Sequence, residues 1–195
     1  MIGNDIVDLN MASIQSNWQR KGFLNKIFTE KEQEIIKNSI FPNKTVWLFW
    51  TMKESAYKAH VQQYQCRFFA PKKIQCEFIS ETKGQVIINS EKYNTTSVFH
   101  SNYIYSTALS SYRGYINNEF FNIEDGSYSG QHKECYKHLI SNLSEKHTIP
   151  IEKLQIKKNE VGIPKVYRNK EELKTSFSIS HHGNYGMYSI LNFTK

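Results

Sequence analysis

Two segments about eighty residues apart read as variants of one another: His100-Ser-Asn-Tyr-Ile-Tyr-Ser-Thr-Ala-Leu109 and His182-Gly-Asn-Tyr-Gly-Met-Tyr-Ser-Ile-Leu191. Two further echoes stand upstream in the same order. Lys53-Glu54-Ser-Ala-Tyr-Lys58 is matched by Lys133-Glu134-Cys-Tyr-Lys137, and Pro71-Lys-Lys-Ile-Gln75 by Pro150-Ile-Glu-Lys-Leu-Gln155. At 195 residues the chain can bury a core as one large domain or as two small fused ones. The repetition selects the second. Each unit is expected to be a long helix followed by an antiparallel sheet, an α+β arrangement fused as a pseudo-dimer. The expected units are residues 1–112 and 113–195, with residues 113–130 as a polar join in which Phe120 and Phe121 pack down.

Local patterns fill in the units. Ile2 to Leu9 is β-branched and alternating, which predicts a short strand. Thr29-Glu-Lys-Glu32 has the form of a capping box and opens a helix through about Lys37. From Lys44 to about Gln63, apolar residues at helical spacing include Val46, Trp47, Phe49, Trp50, Ala56 and Ala59, and Glu54 and Lys58 interrupt them. Beyond Pro71, residues 73–79, 85–88 and 95–109 read as strands, with turns at Lys83-Gly84 and Asn94.

Twenty-five basic residues against eighteen acidic ones give a net charge of +7, which favours anionic partners. The basic residues are scattered, with no finger spacing and no aromatic–basic signature of an RNA-binding sheet, so nucleic-acid binding is the weaker reading. The three cysteines, Cys66, Cys76 and Cys135, fit neither a CxxC nor a zinc spacing. They read as thiols in a reducing, cytoplasmic compartment. The first residues carry Asp5 and Asp8 where a secretory leader would be basic and then apolar, and no stretch has the roughly 20 apolar residues of a membrane span.

Residues able to do chemistry fall into three blocks. Glu54 and Lys58 lie four apart and share a helix face. Taken alone, such a pair is an ordinary surface salt bridge. Asp5 follows Gly3 near a strand end, from which a short carboxylate can reach a cleft. If Asp5 and Glu54 converge, the oxygen-only pair suits Mg²⁺ better than zinc. Near a metal, Glu54 could also take a proton from an incoming hydroxyl, and Lys58 would face the same phosphates. Ser178, Ser180 and His181 offer hydroxyls and an imidazole to oxyanions. No GxSxG elbow is present, which argues against a serine hydrolase.

These strings resemble the 4'-phosphopantetheinyl transferases. The likeness is carried by Gly3-Asn-Asp5-Ile-Val-Asp8-Leu9, Phe23-Leu-Asn-Lys-Ile-Phe28-Thr29-Glu-Lys-Glu32, Trp50-Thr-Met-Lys-Glu54-Ser-Ala-Tyr-Lys58-Ala59, and Gly162-Ile-Pro164 followed by Phe177-Ser-Ile-Ser-His181. The motif order is similar to the short holo-acyl-carrier-protein synthase branch. The length is similar to the larger branch, in which two units form a monomeric pseudo-dimer, here with the metal-bearing half first. The resemblance implies transfer of the phosphopantetheine arm of coenzyme A to a serine of an acidic carrier protein. Asp5 and Glu54 would be the Mg²⁺ ligands, Glu54 the base and Lys58 the phosphate contact. His181, Ser180, Ser178, Lys165 and Lys26 are the candidate coenzyme A contacts.

Two departures from the pattern stand out. Val7 occupies the place of a second acid, leaving Asp8 at most an outer-shell role. Ile163 replaces a lysine expected near the ligand phosphates, for which Lys165 is the candidate substitute. Both lend weight to an alternative, a non-catalytic module that binds coenzyme A or a carrier protein.

Overall fold

The computed structural model describes residues 1–110 and 114–192. Strand β1 (Ile2–Asp8) leads into three short helices, α1 (Leu9–Gln15), α2 (Phe23–Ile27) and α3 (Glu30–Asn38), and then into the long helix α4 (Pro42–Tyr64). A 3₁₀ turn at Pro71–Lys73 precedes β2 (Ile74–Phe78), β3 (Lys83–Ile88), β4 (Glu91–Phe99) and β5 (Tyr103–Leu109). The pattern then runs again: β6 (Tyr115–Asn122), α5 (Tyr128–His147), a 3₁₀ turn at Ile151–Lys153, β7 (Leu154–Lys158), β8 (Pro164–Arg168), β9 (Glu171–Glu172), β10 (Ser176–His182) and β11 (Tyr185–Asn192).

Strand pairing repeats as well as element order. The first sheet is five-stranded and antiparallel in the order β1-β5-β4-β3-β2. The second half gives β6-β11-β10 and, separately, β9-β8-β7. It is the same sheet with the strand corresponding to β4 broken in two. A tight turn at Leu173–Thr175, closed by the Thr175 N–H donating to the Leu173 carbonyl, separates β9 from β10. The fold is therefore α+β with two similar units. The expected boundary between residues 112 and 113 lies outside the described residues.

Several local expectations need correction. Residues 95–109 form two strands, because the His100 N–H donates to the Tyr103 carbonyl and reverses the chain. Lys83-Gly84 and Asn94 lie inside β3 and β4; the turn between those strands is Asn89-Ser90, both at positive φ. The join expected over residues 113–130 contains β6, whose whole length pairs with β11, and the start of α5.

The capping box at the start of α3 is present in both directions: the Glu32 N–H donates to the Thr29 hydroxyl and the Thr29 N–H to the Glu32 carboxylate. Glu32 does more than cap. It is buried, accepts the Cys76 N–H and pairs with Lys53 of α4 at 2.9 Å, which locks α3, α4 and β2 together. Lys53 also donates to the Pro71 and Ile74 carbonyls, so the buried ammonium is fully partnered.

Helix α4 lies on the first sheet, with Phe49, Met52, Ala56 and Ala59 in a core shared with Phe28, Val86, Ile88 and Ile104. Burying a side chain the size of Phe49 contributes roughly 1.5–3 kcal/mol. Gly3 lets β1 press against this helix, since a Cβ there would stand 1.8 Å from the Ser55 carbonyl oxygen. A second core under α5 gathers Leu139, Leu143, Leu154, Val166, Phe177, Tyr188 and Ile190.

The two units meet where β1 runs beside β10. Strand alternation gives β1 two jobs: Gly3 and Asp5 face α4, and Asn4 faces the second sheet. The Asn4 N–H donates to Ser178 Oγ, and its side-chain amide donates to the Ser178 carbonyl and to Ser189 Oγ.

Candidate active site

Asp5 leaves the middle of β1 toward α4, and Lys58 one turn past Glu54 comes to meet it. Lys58 Nζ lies 2.9 Å from Asp5 Oδ1 and donates to the Asn4 carbonyl at 2.8 Å. Burial raises the Asp5 carboxyl above its ordinary value, against the opposing pull of Lys58 and His182. Glu54 is pushed up to about 7, first by burial and then by the neighbouring Asp5 charge, with Lys58 pulling the other way. Two carboxylates that disfavour each other's ionisation, sharing one ammonium, form a site short of positive charge.

Glu54 and Lys58 open into a cavity of about 330 Å³ that spans the units. From α4 and its C-terminal extension it is lined by Tyr57, Val61, Gln62 and Arg67; from α5 by Tyr128, His132, Cys135 and Tyr136. The second-half strands and the β7–β8 turn add Lys158, Gly162, Ile163, Pro164, Ser178, Ile179 and His181. Glu54, Lys58 and His181 thus share one cavity, with Asp5 joined to it through Lys58.

The Ser-Ile-Ser-His segment is a strand, and its alternation splits the expected set. His181 faces α5 and the cavity, where its Nδ1 lies 2.8 Å from Gln131 Oε1. Because a carbonyl oxygen can only accept, Nδ1 carries the proton and Nε2 is left open. Burial, followed by His132, Lys58, His182 and Lys158, lowers His181 to about 4, so the ring is neutral near pH 7. Ser178 is among the lining residues, but its hydroxyl accepts the Asn4 N–H in the seam between units. Ser180 is buried outside the lining, its hydroxyl without a partner among the described residues.

Two expected lysines are elsewhere. Lys165 pairs with Glu172 at 2.8 Å and lines a neighbouring depression, because its place on β8 directs it away from Glu54. Lys26, on α2, lies over the Phe69 ring and is absent from the cavity lining. Asp8 is a brace: one carboxylate oxygen accepts the Asn10 and Met11 N–H groups and caps α1, and the other accepts the Asn184 N–H from the second unit.

Sequence reasoning missed Arg67, Tyr128, His132, Lys158 and the orienting Gln131. Lys158 was legible in principle, since Asn159 to Gly162 reads as a turn and a hairpin there sets Lys158 opposite Pro164.

The same geometry explains why one site forms instead of two. Asp5 pairs with Ser106 across its sheet, and the matching position on β6, opposite Tyr188, is Glu119. Glu119 lies 4.0 Å from His138, as Asp5 meets Lys58, and Glu134 precedes His138 by four residues as Glu54 precedes Lys58. This second set is committed to structure. Glu134 accepts the Glu124 and Asp125 N–H groups, and Tyr188 donates to Glu119. The register partner of His181 in the first unit is Phe99, which cannot contact a phosphate.

The chemistry of the donor set fits Mg²⁺. Both acids offer oxygen only, and among the described residues no group of three or more His, Cys, Asp or Glu could hold an ion. Mg²⁺ is commonly held by one or two carboxylates, with the remaining positions filled by water and substrate phosphate. Among the described residues no helix is long and apolar enough to cross a membrane.

No curated protein sequence matches the chain. Among solved structures, holo-[acyl-carrier-protein] synthase of Thermotoga maritima is similar at a TM-score of 0.45 and 12% identity, covering 88% of this chain and 83% of that one. The family model of the 4'-phosphopantetheinyl transferase superfamily matches residues 1–116, well over half of the chain and including Asp5, Glu54 and Lys58. The chain belongs to the 4'-phosphopantetheinyl transferase superfamily.

Proposed function

We propose that the protein transfers the 4'-phosphopantetheine arm of coenzyme A to a serine of an apo carrier protein and releases adenosine 3',5'-bisphosphate. The observation that carries this reading is Glu54, a carboxylate tuned to about 7 beside Asp5 and Lys58, in a cavity shared with His181. A group poised near neutral pH accepts and returns protons efficiently.

In this reading the serine hydroxyl oxygen attacks the phosphorus that carries pantetheine. The bond from that phosphorus to the bridging oxygen breaks, and its electron pair leaves with adenosine bisphosphate. Glu54 receives the hydroxyl proton, directly or through water. Lys58 donates to the departing phosphate once the Asp5 carboxylate no longer holds it. His181 contacts a phosphate oxygen through Nε2 after that nitrogen takes up a proton on ligand binding. Asp5 and Glu54 would hold Mg²⁺, which when bound neutralises diphosphate charge. Tyr57, Val61, Ile163 and Ile179 give the cavity apolar walls that limit water around the reacting groups. The net charge of +7 suits an acidic carrier.

The test is release of adenosine 3',5'-bisphosphate on incubation with coenzyme A, Mg²⁺ and an apo carrier. Release that needs both carrier and metal, and that falls by orders of magnitude in Glu54→Gln, is expected. Tight, metal-independent coenzyme A binding with no release from any of several carriers would identify a binding module instead.

A further inference from the structure

The Gln131 carboxamide meets three groups, and all three dictate the same orientation. The residue stands near the start of α5, where its backbone N–H donates to the Ser127 carbonyl. Its side-chain nitrogen donates to two backbone carbonyls: that of Gly126, just before α5, at 3.2 Å, and that of Gly183, in the β10–β11 turn, at 3.0 Å. An amide nitrogen has two protons to give, and both are spent there. Turning the amide over would set its oxygen against two carbonyl oxygens, which are acceptors only. Oε1 is therefore committed to His181 Nδ1, 2.8 Å away.

The rest of the surroundings oppose a second proton on the ring. Tyr128 and His132 of α5 meet it edge-on, with ring centroids 6.0 and 6.2 Å away. Lys58 of α4, Lys158 of β7 and His182 of its own strand disfavour added positive charge, as does the partial positive charge at the start of α5. Glu54 is the one carboxylate in the cavity lining, and no acid lies within ion-pair distance of His181 among the described residues. Nε2 has no hydrogen-bond partner among the described residues. A bare imidazole nitrogen and a phosphate oxygen are both acceptors, so they bond only when a proton is placed between them.

We infer that Gln131 is the positioning residue for His181: by giving its amide protons to the Gly126 and Gly183 carbonyls it confines the ring proton to Nδ1, and on the transferase reading above a phosphate oxygen then engages His181 only together with a proton delivered to Nε2. The opposite neutral tautomer, with its proton on Nε2, would donate to phosphate with no proton taken from solvent. Gln131 excludes that tautomer. Binding of the phosphate-bearing ligand draws one proton onto Nε2, and departure of the bisphosphate product returns it. The ring is raised by the bound phosphate, so this contribution to affinity grows as pH falls through the bound-state value and levels off below the free-state value of about 4. Gln131 touches no substrate atom in this scheme; it acts through the ring that it orients.

The experiment has two readouts. Nitrogen-15 NMR of the ligand-free protein at pH 7, with His181→Ala to assign the ring, reports which nitrogen carries the proton. Wild type is expected to show Nδ1–H and a bare Nε2. Gln131→Ala removes the acceptor and should release the proton to Nε2 in a large share of molecules. Gln131→Glu keeps an acceptor at Nδ1 and adds charge, so it should retain Nδ1–H and titrate at higher pH than wild type. Calorimetric titration with coenzyme A and Mg²⁺ at pH 6, in buffers of different ionisation enthalpy, then counts protons. Wild type should take up about one proton more per coenzyme A than Gln131→Ala, a difference that isolates His181 because Glu54 and the ligand phosphates titrate in both. Nε2–H in the ligand-free wild type, or equal uptake by the two proteins, overturns the positioning role while coenzyme A binding leaves the transferase reading intact. A wild type that does not bind coenzyme A overturns both the proton coupling and that reading.

Discussion

Replacing Glu54 by Gln is expected to make the metal-free protein more stable while removing its activity. A carboxyl whose folded-state value lies above its unfolded one keeps a proton in the folded state that the unfolded chain releases. Stability is therefore lost as pH rises across that interval. For Glu54 the interval runs from 4.5 to about 7, with burial as the leading cause and Asp5 the second. At roughly 1.4 kcal/mol per pH unit, the cost above pH 7 is about 3 kcal/mol. Glutamine keeps the shape and carries no charge, so it avoids this cost. Urea unfolding of both proteins in the presence of a chelator measures it. Glu54→Gln should gain about 3 kcal/mol at pH 8 and close to nothing at pH 4.5, with an unchanged m-value. For a chain of this size that gain corresponds to a rise in Tm of roughly 6–12 °C at pH 8. An equal gain at both pH values would mean that packing, not charge, sets the difference. A loss at pH 8 would refute the claim that Glu54 is held under electrostatic strain.

Three further perturbations test other parts of the structure. Glu32→Ala strands the buried Lys53 ammonium and should destabilise by about 3–5 kcal/mol in urea unfolding, whereas an exposed ion pair such as Lys165–Glu172 should cost about 1 kcal/mol or less when broken. Gly3→Ala forces a methyl to 1.8 Å from the Ser55 carbonyl oxygen and should cost about 3 kcal/mol or more, together with loss of activity as β1 and Asp5 shift; a silent substitution would place β1 farther from α4. His181 is neutral in the free protein, so coenzyme A binding at pH 6 should take up a proton as phosphate approaches Nε2, seen as a buffer-dependent calorimetric enthalpy; His181→Ala should abolish that uptake.

The elements that carry long-range information announced themselves locally. The capping box, the helical apolar spacing of α4 and the paired echoes each arise from contacts within a few residues or from a repeated pattern. The recurrence of strand order follows the echoes closely: the 3₁₀ turns and the strands after them start eighty residues apart, at Pro71 and Ile151, then at Ile74 and Leu154. Asp5, Glu54 and Lys58 were visible as a set because one helix face and one short strand supply them, although Asp5 stands in the middle of β1 and not, as expected, near its end. What escaped the sequence depends on partners distant in the chain. Nothing local marks Lys53 as buried; Glu32 and the Pro71 and Ile74 carbonyls surround it only in the fold. Asp8, expected to have at most an outer-shell role at a metal, instead offers its carboxylate to three backbone N–H groups, one of them from Asn184. Ser178, Ser180 and His181 looked like one edge, but a strand sends alternate side chains to opposite faces. Arg67 reaches the turn at Gly162, where Gln65 meets Asn159, across nearly half the chain.

The central claim is that the carboxylates of the first unit and His181 of the second serve one ligand. Diffraction from crystals grown with coenzyme A and Mn²⁺ tests it most directly, because manganese scatters anomalously and occupies oxygen sites suited to Mg²⁺. The account predicts one anomalous peak bound by Asp5 and Glu54, with Lys58 turned away from Asp5 and the coenzyme A diphosphate reaching from the metal to His181. A peak away from these carboxylates, or coenzyme A bound outside the cavity between the units, would contradict it.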